Sequence, residues 1–68
     1  MRNTTKLKAI LLKYIIRMEM NDDGIFTLEL TDKLTGKNDE IRAKNYSEAI
    51  RKSYSHLLQE LKKEEKMQ

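Results

Sequence analysis

The sequence contains no cysteine, no proline and only two glycines among its 68 residues. Without thiols, disulfides and thiolate metal sites are excluded, and a reducing compartment suits the chain. The single histidine, His56, has no second imidazole with which to share a metal ion, so it reads as a polar helix residue. No proline-rich linker or internal repeat divides residues 1–68, which read as one small domain with one modest core. Its ends, residues 1–5 and 64–68, are polar or charged and are expected to fray. The apolar run Ala9 to Ile16 is interrupted by Lys13 and is too short to cross a bilayer. Arg2, Lys6 and Lys8 ahead of it mimic the start of a signal peptide, but Arg17, Glu19 and Asp22 follow where a small-residue cleavage site would stand. The expectation is a cytoplasmic protein with no membrane partner.

Catalytic patterns are lacking as well. There is no Ser–His–acid set at motif spacing and no glycine-rich phosphate loop. Asp22-Asp23 reads as a turn rather than an acid pair, and Thr35-Gly36-Lys37 lacks the preceding glycine spacing of a phosphate loop. A protein that is not an enzyme, with no cofactor, no metal and no small-molecule substrate, is therefore expected.

What the chain has in quantity is charge: 37% of residues are charged, yet the net charge is only +3. Basic residues dominate the first twenty positions, acidic ones the middle, and the last third is mixed and basic. A pI near 9.3 permits nucleic-acid binding without requiring it.

The clearest element is a helix from Ser47 to about Lys63. Ile50, Tyr54, Leu57 and Leu61 recur there at helical spacing, with Ala49, Ser53 and Leu58 beside them. Either Ser47 or Asn45 caps it, the latter with Glu48 closing a capping box. Upstream, Asn21-Asp22-Asp23-Gly24 is a hairpin turn, and a second turn lies within Asp32 to Asp39 with Gly36 at positive φ. Between and around them, Leu11 to Met20, Ile25 to Thr31 and Glu40 to Lys44 alternate as strands. Residues 4–10 suit either an extension of the first strand or a short helix. The fold class is thus α+β, a three-stranded antiparallel sheet covered on one face by the C-terminal helix, in the order β-β-β-α. The inner face carries Tyr14, Ile16, Met18, Phe26, Leu28, Leu30, Ile41 and Ala43. The outer face, with Lys13, Ile15, Arg17, Glu19, Thr27, Glu29, Thr31, Arg42 and Lys44, has nothing left to cover it.

Asp23-Gly24, Phe26, the Asp32-Lys33-Leu34-Thr35-Gly36-Lys37 turn, Tyr46, Ser47 and Glu48-Ala49 carry a resemblance, over Tyr14 to Leu61. The stretch resembles the arm-type DNA-binding domain at the N-terminus of phage and transposon tyrosine-recombinase integrases. That likeness implies a sheet lying in the major groove of double-stranded DNA and an origin in a phage or other mobile element. The implied contacts are Lys13, Arg17, Thr27, Arg42 and Lys44 on the sheet, with Lys33 and Lys37 on the turn. The chain departs from the pattern in placing Glu19 and Glu29 on the same face. It also looks somewhat like HicB-type antitoxins, which bind a small toxin. If residues 6 onward are helical, it can further be laid on the double-stranded RNA-binding domain, though Ser47-Glu48 stands where that family has a lysine pair.

Two functions follow as expectations. One is a DNA-binding module docking through the open sheet face. The other is a protein-interaction module, antitoxin-like or a small phage-encoded inhibitor. Ile15 and the strand edges also allow a homodimer.

Overall fold

Two periodicities compete over residues 7–16. Leu7, Ile10 and Tyr14 form a helical stripe, while Leu12, Tyr14 and Ile16 alternate as in a strand. In the computed structural model, which describes residues 2–66, the helical period prevails up to Lys13. The elements are α1 (Asn3–Lys13), β1 (Tyr14–Met20), β2 (Phe26–Asp32), β3 (Asn38–Ala43) and α2 (Tyr46–Lys66). The strand expected from Leu11 begins three residues later, and the stretch left open ahead of it is helix. Burial explains the outcome: the helical phase shields Ile10 completely and half-buries Leu7 and Ala9. The Tyr14 backbone N–H still donates to the Ile10 carbonyl, and the chain turns extended there, where β-branched Ile15 and Ile16 follow. The fraying anticipated for Met1, Met67 and Gln68 lies outside the described residues.

The sheet is antiparallel throughout with β2 central. Asparagine and aspartate side chains build both connections. Asn21 Oδ1 accepts the N–H groups of Asp23 at 3.0 Å and Ile25 at 2.9 Å, and Gly24 takes φ 81°. Asp32 Oδ1 accepts those of Leu34 at 2.8 Å and Thr35 at 3.2 Å, and Gly36 takes φ 75°. Both glycines thus occupy the left-handed region that side chains with a Cβ disfavour. Of the two caps anticipated for α2, Asn45 is the one used: its Oδ1 accepts the Glu48 N–H at 2.8 Å. The Glu48 carboxylate reaches back to the Lys44 N–H and pairs with Lys52 Nζ at 2.9 Å.

Both helices cover one face of the sheet. Tyr14, Leu28, Leu30 and Ala43 from the strands meet Ile10, Ala49, Ile50 and Leu57 from the helices, all buried. Ser53 is completely buried. The helices run alongside each other in the same direction, since Asn3 hydrogen-bonds Ser47 near their starts and Leu12 approaches Leu57 and Leu61 further on. Of the expected core residues, Ile16, Phe26, Ile41 and Tyr54 are partly buried, and Met18 at 39% and Leu61 at 41% are exposed. Met18 lies on the edge strand β1, and Leu61 is four residues beyond the buried Leu57 on α2. Among the described residues no helix is long and apolar enough to cross a membrane.

Leu28, wholly shielded on the central strand, sets the clearest stability expectation. Leu28→Ala is expected to cost about 2–5 kcal/mol, read as a lowered urea midpoint. Glu29→Gln, one residue away on the opposite face, is expected to change stability by less than about 0.5 kcal/mol.

Candidate interaction surfaces

Antiparallel register arranges the outer sheet face in rows. Arg17 lies opposite Glu29, which lies opposite Glu40, and the next row is Glu19, Thr27 and Arg42. Each arginine is engaged on its own strand, Arg17 with Glu19 at 3.2 Å and Arg42 with Glu40 at 3.3 Å. Two arginines therefore share this face with three glutamates, and the side chains of both arginines are 74% exposed. No described element covers it. Arg17, Glu19, Thr27 and Glu29 bound a shallow depression of about 260 Å³.

Of the seven residues expected to contact nucleic acid, Arg17, Thr27 and Arg42 share the outer face as anticipated. Lys13 does not, and this corrects its expected placement. It ends α1, and its Nζ lies 3.2 Å from the Asp32 carboxylate with only 14% of the side chain exposed. The strand alternation that put it outside stops at Tyr14, so its side chain follows helical phase instead. Lys44 lies just beyond β3, in the bend before α2. Lys33 and Lys37 are on the β2–β3 connection, but Lys33 Nζ donates to the Leu11 carbonyl at 2.6 Å and Lys37 Nζ lies 3.9 Å from Glu60. The structure thus distributes the seven residues over several surfaces.

A different surface stands out at the end of the molecule where α1, the β2–β3 connection and the second half of α2 meet. Ala9, Leu12, Leu34, Leu57 and Leu61, with Lys13 and Lys33, line an apolar cleft of about 550 Å³. Leu12 is 82% exposed and Leu34 is 90% exposed. Helical phase carries Leu12 away from the sheet once Ile10 and Tyr14 face it. Leu34 is held out by the Asp32 turn, which is itself clamped to α1. Lys33 N–H donates to the Lys13 carbonyl at 3.1 Å, and its ammonium takes the Leu11 carbonyl at the helix end, where a cation is favoured. The Lys13–Asp32 pair closes the same junction. Burial of a leucine side chain that starts fully exposed is worth about 1.5–3 kcal/mol, so the cleft offers a partner substantial apolar stabilisation. The charged residues lining it are both lysines, and α1 contains Lys6, Lys8 and Lys13 but no acid.

Sequence reasoning put Leu12 in the first strand, alternating in phase with Tyr14, and left Leu34 inside a turn. The one available signal was a leucine within the otherwise polar stretch Asp32 to Asp39.

The Asp32 carboxyl is held below the usual carboxylate range, first by the N–H groups of Leu34 and Thr35 and then by Lys13, against some opposition from burial. A depressed folded-state pKa contributes stability that is present above the unfolded carboxylate value of about 3.9 and is lost as pH falls through the lower folded value. Asp32→Asn is therefore expected to lower stability at pH 7 and to approach the parent protein as pH falls through the lowered folded value, measured by urea midpoints across the acid range.

No protein-family model, no curated protein and no solved structure matches the chain.

Proposed function

We propose that this chain is a non-catalytic protein-binding module that takes its partner in the leucine cleft. The observation that carries the reading is the exposure of Leu12 and Leu34, at 82% and 90%, on a junction held by hydrogen bonds and an ion pair. Large apolar side chains grouped at a groove mark contact sites rather than ordinary surface. The partner chemistry follows from the lining. Apolar walls flanked by lysines, with no acidic residue among the described lining, suit an amphipathic helix bearing a leucine-type stripe and an acidic flank. A second copy of the chain suits the cleft less, since pairing cleft to cleft brings together two α1 helices whose charged residues are all lysines.

This is the interaction-module reading, of the kind an antitoxin or small inhibitor would use. Docking of duplex DNA on the outer sheet face is less well supported, because glutamates outnumber arginines there and would oppose phosphates. For RNA, the helical α1 supplies the element order of the double-stranded RNA-binding domain. The start of α2, however, carries Ser47-Glu48, and Glu48 is tied to Lys52.

The test is fluorescence anisotropy with amphipathic helical peptides of about 20 residues, identical in their leucine stripe and carrying acidic or basic flanks. Acidic-flank peptides are expected to bind, and Leu12→Asp or Leu34→Asp to weaken binding at least about tenfold while leaving the urea midpoint nearly unchanged. Arg17→Glu with Arg42→Glu should leave peptide binding intact. The proposal fails if no peptide binds, or if the chain dimerises through these leucines. Salt-sensitive binding of duplex DNA that is lost on the double arginine change, without peptide binding, also overturns it.

A further inference from the structure

A second feature lies where β3 meets α2. Asp39 is on the inner face of β3, and His56 and Glu60 stand one turn apart on α2. His56 Nε2 lies 3.0 Å from Asp39 Oδ2 and 3.9 Å from Glu60 Oε1. One ligand atom from each of the three residues falls within 4.8 Å of the other two. Four-coordinate zinc, with bonds of 2.0–2.2 Å to nitrogen and oxygen, sets its ligand atoms roughly 3.3 Å apart. The spacing here is close enough for small side-chain rotations to close the set. The side chains of His56 and Glu60 are each 20% exposed and that of Asp39 is 31% exposed, so the cluster is shielded yet reachable from solvent.

A separate observation lies beside the cluster. Tyr14 is 2% exposed, and its hydroxyl has no hydrogen-bond partner among the described residues. Its ring packs against the His56 imidazole, with centroids 5.8 Å apart. A buried hydroxyl left without a partner is uncommon and calls for a missing one. Water in the fourth position of a three-ligand metal site is an acceptor of that kind.

We infer that Asp39, His56 and Glu60 bind one zinc-class divalent cation that fastens β3 to α2. One imidazole and two carboxylates suit zinc or cobalt better than magnesium or calcium, which take six or more oxygen ligands. Lys37 and Lys63 approach Glu60 at 3.9 and 3.8 Å, beyond hydrogen-bonding range, with side chains 61% and 68% exposed. Both have room to turn into solvent as the cation enters. The site is independent of the leucine cleft. Sequence spacing gave little sign of it, because Asp39 stands 17 residues from His56 on another element.

The test uses the full chain, stripped of metal and titrated with zinc chloride by calorimetry. Binding of one ion per chain is expected, with the melting temperature raised by about 10–20 °C at zinc a hundredfold above its dissociation constant. Magnesium at the same concentration should produce no shift. Glu60→Gln and Asp39→Asn should each weaken zinc at least about tenfold, and Tyr14→Phe should still bind it. Because a variant can fail to fold, nitrogen NMR of the His56 ring in the unaltered chain provides a second readout. Zinc should move the Nε2 resonance to its metal-bound position. Absence of saturation, an unmoved Nε2 resonance, or full affinity in folded Glu60→Gln would each overturn the inference.

Discussion

Leu28 and Leu30, on the central strand, are completely shielded from water by two helices that also pack on each other. A three-stranded sheet of this size has one apolar face to hide, and both helices are committed to that face. The opposite face is left to charged and polar side chains, in cross-strand rows set by the register. Everything proposed for the molecule depends on this one-sided burial. It sets which residues can meet a partner, and it presses α2 close enough to β3 for His56 to hydrogen-bond Asp39.

The same constraint accounts for the cleft. With no linker between α1 and β1, the helix must end where the strand begins. Ile10 uses the side of α1 that faces inward, and Tyr14 follows it into the core at the start of β1, which leaves Leu12 on the other side. The β2–β3 connection is drawn against the last turn of α1 by Lys33 and by the Lys13–Asp32 pair, and it carries Leu34 out beside Leu12. Polar interactions thus hold an apolar group in water, an arrangement that favours a binding role over one in the core.

Much of the fold was legible in the sequence. The Asn21–Gly24 turn, Gly36 at positive φ, the alternation of Phe26, Leu28 and Leu30, and the stripe of Ile50, Tyr54 and Leu57 all follow from local chemistry. The α1–β1 boundary did not, because Tyr14 fits both the helical stripe and the strand alternation and only tertiary burial separates them. That ambiguity displaced Lys13 and hid Leu12. The parity of Arg17, Thr27 and Arg42 was readable, whereas the glutamate Glu40 that completes a row with Arg17 and Glu29 became visible only with the register. The cleft joins residues from three elements, and no sequence spacing encodes such a meeting.

The central claim is that the two helices seal Leu28 and Leu30 while leaving Leu12 and Leu34 outside. Methyl NMR of the leucines with a soluble paramagnetic probe measures this directly in the isolated chain. Strong relaxation of the Leu12 and Leu34 methyls, with those of Leu28 and Leu30 unaffected, is the result predicted. Protection of Leu12 and Leu34 equal to that of Leu28, in dilute monomeric protein, would contradict it.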